Sequence, residues 1–190
     1  MVWLYSVYTI LIIFLLVYTG FGFRVLKEYE RGVVYTLGRY YKVIGPGLRW
    51  VFPLLQSVEY VDVRVKSLDL KYQTCSTSEG TPVKFKSSVH YKVESPSKAI
   101  NEVENYLELL QHSSESALKE IIGSSVDENL LSERGKILKK VKEELSKESS
   151  NWGLKIDNIN IYDLEISDYK PRVRKKKESV KDKKDDFLLD

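Results

Sequence analysis

Residues 83–93 read VKFKSSVHYKV, and their parity decides the fold class. Val83, Phe85, Val89, Tyr91 and Val93 alternate with Lys84, Lys86, Ser88, His90 and Lys92. Successive side chains of an extended chain point to opposite faces. This period of two therefore predicts a strand with one face buried and one in water, as in antiparallel sheets. The pattern extends toward the N-terminus. Val61, Val63 and Val65 alternate with Asp62, Arg64 and Lys66, and Leu68, Leu70 and Tyr72 with Asp69, Lys71 and Gln73. Residues 31–93 read as strands, with Gly80, Pro82 and the stretch from Glu94 to Pro96 as punctuation.

Past Pro96 the period changes. Ser95-Pro96 offers a capping hydroxyl followed by a residue whose φ suits a first helical turn. From there Ala99, Ile100, Val103, Leu107, Leu110, Leu118, Ile121 and Ile122 recur at three- and four-residue steps, with Gly123 as a stop. The spacing predicts a helix along this stripe, and another from about Ser132 to Ser149 that buries Ile137, Leu138, Val141 and Leu145. Leu154 to Ile166 is strand-like again, but its apolar parity flips from 154 and 156 to 159 and 161, then back to 164 and 166. Such flips predict bulges. Strands, then helices, then a strand make the class α+β with a largely antiparallel sheet.

The other end of the chain is of a different kind. Val2 to Phe23, VWLYSVYTILIIFLLVYTGFGF, carries no charged side chain. As a helix it would rise about 33 Å, against a hydrocarbon core of about 30 Å. Trp3, Tyr5 and Tyr8 stand at one end and Tyr18, Phe21 and Phe23 at the other, where amphipathic rings favour the headgroup level. A cleaved signal peptide would want a basic start and small residues at the cut, and neither is present. A core helix of a soluble domain would want a polar face. The expectation is a retained single transmembrane anchor over 1–23. Arg24, Lys27 and Arg31 follow it, so the positive-inside bias puts the rest in the cytoplasm.

Charge is unevenly spread. The whole chain carries 30 Lys/Arg and 27 Asp/Glu, a net +3, while residues 169–190 alone hold nine basic and five acidic residues. The basic excess belongs to a tail, which lacks apolar content before Phe187 and reads as disordered on composition. Arg172, Arg174, Lys175, Lys176 and Lys177 are candidates for contact with anionic lipid or with a partner protein. No aromatics are interleaved for base stacking, so nucleic acid is not expected. With Cys75, His90 and His112 the only thiol and imidazoles, an ordinary zinc site lacks ligands and no disulfide can close within the chain. Neither GxGxxG, GxxxxGK[ST] nor Gly-x-Ser-x-Gly occurs. No enzyme and no cofactor is expected.

One segment invites a sharper reading. Residues 45–55, GPGLRWVFPLL, are a rigid turn leading into an apolar, aromatic loop. Pro46, Leu48, Arg49, Trp50, Phe52 and Pro53 would dip into the membrane interface beside Trp3, Tyr5, Tyr18 and Phe23. Trp50 and Phe52 would supply apolar area and Arg49 a phosphate contact. The alternative is a turn that packs Trp50 and Phe52 inside the domain.

The chain resembles the stomatin/prohibitin family, which carries the SPFH or band 7 domain, and within it the stomatin branch. The resemblance rests on Lys27-Glu28-Tyr29-Glu30-Arg31-Gly32-Val33, Leu37-Gly38-Arg39-Tyr40, Gly45-Pro46-Gly47-Leu48, Pro82-Val83 to Tyr91, Ser95-Pro96 with Ala99, and Asn105-Tyr106. Leu130-Leu131-Ser132-Glu133-Arg134, Trp152-Gly153 and Asp163-Leu164-Glu165 complete it, all collinear over 24–168. It implies an SPFH domain over 24–168 in a membrane-bound homo-oligomeric scaffold that organises microdomains and modulates channels or proteases. The implied partners, besides the bilayer, are an NfeD-type membrane protein or a membrane serine protease. Relatives usually continue into a long Ala/Glu/Arg-rich helix that drives ring assembly. Here Pro171 and the heptad-free stretch 172–190 lead to the expectation of smaller oligomers. Two other functions remain open: a regulatory subunit of a membrane protease with its domain outside the cytoplasm, and a membrane-tethered hydrolase.

Overall fold

The computed structural model describes residues 2–126, 130 and 132–166, without the side chains at 2, 15–17 and 19. An N-terminal helix, α1 (Val2–Gly20), precedes eight strands: β1 (Phe23–Leu26), β2 (Glu30–Thr36), β3 (Arg39–Ile44), β4 (Gly47–Trp50), β5 (Gln56–Asp62), β6 (Lys66–Asp69), β7 (Gln73–Ser76) and β8 (Pro82–Val93). Helices α2 (Pro96–Asn101), α3 (Tyr106–Gly123) and α4 (Arg134–Ser149) follow, and β9 (Leu154–Ile166) comes last.

β8 is the hub. One of its edges is taken first by β7, with Gln73 opposite Phe85, and then by β6, with Lys66 opposite Tyr91; β9 pairs along the other edge. A three-stranded sheet in the order β3-β2-β5 and a two-stranded ribbon of β1 and β4 complete the strand pairing, which is antiparallel throughout. The α+β class holds.

The parity of β8 holds except at Ser88, which is expected on the wet face but is buried beside the Tyr162 hydroxyl. Val83, Phe85, Ser87, Val89, Tyr91 and Val93 are all buried, so Ser87 fills the inward place left between the apolar positions. Its Oγ has no hydrogen-bond partner among the described residues, a cost of about 1–3 kcal/mol that the surrounding core absorbs. The parity flips of β9 coincide with shifts in its register against β8, between Lys84 and Lys86 and between His90 and Tyr91. Asp163 there adopts φ 47°. These irregularities let Leu154, Ile156, Ile159 and Ile161 all reach the core, where α4 packs Ile137, Val141 and Leu145.

The stripe from Ala99 to Ile122 is not one helix, as its spacing predicts, but two. The first ends at Asn101, and Asn105, in extended conformation at φ −139°, starts the second, its side chain accepting from the Leu107 and Glu108 amides. The Ser95 hydroxyl, expected to cap, makes no capping bond. The segment is pinned instead by Gly153, whose carbonyl accepts from the amides of Glu94 and Ser95 at 2.9 and 3.0 Å. Gly153 has φ 71°, and a Cβ there would meet the Ser95 carbonyl oxygen at 2.5 Å, so only glycine fits.

Two cores result. The larger joins β8 and β9 to α3 and α4. The smaller, Leu26, Val34, Ile44 and Val51 with Val58 against it, lies beneath the ribbon. Adjacent residues of β2 serve both, Val33 the first and Val34 the second, which leaves the ribbon as an outer layer.

Candidate membrane-contact surface

In the ribbon, Phe23 faces Trp50, Arg24 faces Arg49, Val25 faces Leu48 and Leu26 faces Gly47. Alternation puts Leu26 and the two arginines on one face and the apolar pairs Phe23/Trp50 and Val25/Leu48 on the other. Leu26 is buried in the smaller core, so the apolar face points outward. Val25 is 75% and Leu48 63% exposed, and Phe23 and Trp50 are about half exposed. Gly47–Trp50 is thus a paired strand where the sequence reads as a loop, because Gly47 at φ 95° turns the chain back along β1. Of the two rings in the alternative of a turn packed inside the domain, Trp50 is about half exposed and Phe52 is half-buried.

The ribbon continues into α1. The Val51 amide donates to the Gly22 carbonyl at 2.8 Å. A Cβ at Gly22 would sit 2.5 Å from Trp50 Nε1, so the close approach requires glycine. Rings then follow one another: Trp50 lies edge-on to Phe52 at 5.4 Å, Phe52 to Tyr18 at 6.0 Å, and Tyr18 stacks on Phe14 at 6.5 Å. Trp3 and Tyr5 are exposed near the far end of α1, Phe21 at its foot, and Pro46 is half-buried at the start of β4. Pro53 is exposed, and Arg49 donates from Nε to the Gly45 carbonyl over a long 3.4 Å.

The structure adds residues that the sequence reading passes over. Leu54 is 78% exposed and Leu55 partly so, in the turn after Phe52. The Leu37 amide donates to the Leu55 carbonyl at 2.9 Å, which sets the tip of the β2–β3 hairpin beside that turn, with Leu37 76% exposed. Apolar alternation cannot flag single leucines in turns; only their proximity to Phe52 and to one another does.

Among the residues described in full, no helix is long and apolar enough to cross a membrane. The sequence of α1 is uncharged over its 19 residues, five of whose side chains are outside that description. The basic cluster Arg172, Arg174, Lys175, Lys176 and Lys177 also lies outside the described residues.

The rest of the domain offers little for chemistry. Ser88 and His90 share a face of β8, but Ser88 Oγ lies 3.1 Å from the Tyr162 hydroxyl and His90 Nε2 3.2 Å from Asn160 Nδ2, so they are not arranged as nucleophile and base. Burial pushes the half-buried Cys75 thiol up, against an opposing pull from Lys119. Among the described residues no three His, Cys, Asp or Glu side chains are grouped to hold a metal ion.

Residues 24–183 match the family model for the SPFH domain / Band 7 family. A stomatin homologue of Pyrococcus abyssi is 32% identical over 162 residues, 85% of this chain and 60% of that protein. Mouse stomatin is 26% identical over 145 residues, 75% of this chain and 51% of its own length. An uncharacterised Methanocaldococcus jannaschii protein is 29% identical over 165 residues, 87% of this chain and 81% of that one. The chain therefore spans between about half and three fifths of the stomatin relatives it matches. Collinear motifs, the antiparallel α+β domain and the match over most of the chain agree: this protein is a stomatin-like member of the SPFH domain / Band 7 family.

Proposed function

We propose that the protein is a membrane-anchored, non-enzymatic scaffold that assembles laterally and organises or regulates membrane protein partners. In this reading α1, about 28 Å long at 1.5 Å per residue, spans the bilayer once and the domain lies on the cytoplasmic side. The outward apolar face of the ribbon supports it most. Phe23, Val25, Leu48 and Trp50 leave an apolar face uncovered, continuous through Phe52 and Tyr18 with an uncharged helix. A soluble monomer rarely leaves such a surface to water, whereas a bilayer interface covers it without further contacts. The ribbon and the two leucine turns then hold the domain against the bilayer, and the basic residues of 169–190 are proposed to contact anionic lipid or a partner.

An NfeD-type membrane protein or a membrane serine protease is proposed as partner on the family resemblance, and homo-oligomers are proposed as the working form. The test uses full-length protein in native membranes. Photoactivatable lipid should label peptides containing Phe21–Val25 and Leu48–Leu55 as well as α1, and the protein should resist alkaline carbonate. Labelling confined to α1 would remove the interfacial surface, and release by carbonate would remove the anchor. Cross-linking in the same membranes, read by mass spectrometry, identifies the partner. A reporter fused after residue 190 that scored as external would favour the protease-subunit function.

A further inference from the structure

We propose that Arg24, Lys42 and Arg49 form a binding site for the phosphate of an anionic phospholipid headgroup. It rests on the scaffold reading for one premise only, that the ribbon lies at a bilayer. Arg24 and Arg49 are direct cross-strand partners. Like charges so placed repel and weaken a two-stranded ribbon unless an anion lies between or beside them. Among the described residues four cations have carboxylate partners: Arg64 and Lys66 share Asp62, Lys136 pairs with Glu133 and Lys155 with Glu94. No carboxylate among the described residues is in ion-pair range of Arg24, Lys42 or Arg49.

The three cations line two adjoining cavities. One, of about 400 Å³, has Lys42, Arg49, Tyr41, Trp50 and Gln56 in its wall; the other, of about 220 Å³, has Arg24, Phe21, Pro53 and Gln56. Neither wall contains an acidic residue. Lys42 Nζ lies 5.0 Å from the centroid of the Tyr41 ring, which holds its charge at the first wall. The Arg49 guanidinium spends one donor on the long contact with Gly45 and keeps the remainder for a ligand.

The rim tells which anion. Phe21 and Pro53 line the Arg24 cavity and Leu48 and Trp50 the other; with the outward face of the ribbon against acyl chains, Arg24 and Arg49 on its opposite face sit at headgroup depth. A free phosphate has no use for that rim. Three uncompensated cations also disfavour a choline ammonium, which selects a headgroup of net negative charge such as phosphatidylglycerol.

The experiment uses full-length protein in mild detergent with equimolar phosphatidylglycerol and phosphatidylcholine, and mass spectrometry of the lipid that stays bound. The parent should retain phosphatidylglycerol preferentially, and each cation removed should lower that preference roughly fivefold. R49Q alone should show one such step, and R24Q/K42Q/R49Q should abolish the preference. K139Q/K140Q/K147Q, which removes as many charges from α4, should keep it. Equal retention of the two lipids by the parent, or equal loss in the α4 variant, overturns the site. Displacement of phosphatidylglycerol by millimolar inorganic phosphate reassigns it to a free anion and overturns the lipid assignment. A protein that resists carbonate yet shows no headgroup preference sinks this site and leaves the scaffold reading standing. Release by carbonate with the preference intact does the reverse.

Discussion

The ring of Phe52 meets that of Tyr18 edge-on, with centroids 6.0 Å apart and planes at 71°. Tyr18 is near the end of α1 and Phe52 follows β4, so this contact fixes how α1 meets the ribbon. Such pairs are worth about 0.5–1.5 kcal/mol beyond burial. A double-mutant cycle of Tyr18→Leu and Phe52→Leu, read by thermal unfolding in nanodiscs, should return a coupling in that range. Additive effects would mean that α1 and the domain hinge independently.

Asn105 makes an internal comparison possible. Its side chain accepts from two amides at the start of α3, while Ser95, with the sequence signature of a cap, makes no such bond. Asn105→Ala should cost about 1 kcal/mol and Ser95→Ala almost nothing. Urea unfolding of both variants checks the order, and equal losses would contradict the capping geometry.

That comparison also marks what the sequence can and cannot express. Parity places Val83, Phe85, Val89, Tyr91 and Val93 in the core because a sheet with one wet face enforces alternation directly. The flips of β9 are readable for the same reason, since each appears as a break in parity that a bulge must absorb. The break between α2 and α3 is hidden, because two helices burying the same side continue one another's stripe across Asn105. At the surface, the aromatic residues from Trp50 to Phe52 are conspicuous as composition. Their pairing with Phe23 and the arrival of Leu37 beside Leu55 depend on which strands meet, which no local pattern encodes.

Asp62 makes the domain sensitive to acid at one point. Side-chain hydrogen bonds from Arg64, helped by its backbone amide, hold the carboxyl down to about 2, and the guanidinium lies 3.9 Å from the centroid of the Tyr29 ring. An unfolded aspartate titrates near 3.9, so the unfolded chain takes up the proton first as pH falls. The contribution is complete above about pH 4 and is lost as pH drops toward about 2. Asp62→Asn should flatten that part of the acid decline in melting temperature relative to the parent. Parallel declines for the two proteins would show that the Arg64 contact carries no stability.

Leu37 sets stability against placement. It adopts φ 50° and Gly38 φ 79°, the paired left-handed values of a tight hairpin turn. Asn or Gly suits the first of these positions, and a leucine pays about 1 kcal/mol in crowding of its Cβ. Its side chain packs little, being 76% exposed, so the strain is not offset inside the domain. Contact with acyl chains next to Leu54 and Leu55 supplies the offset in the membrane reading. Leu37→Asn should therefore raise the melting temperature in detergent while reducing photolipid labelling of the hairpin tip several-fold in membranes. A variant both more stable and equally labelled would leave the strained leucine without a membrane role.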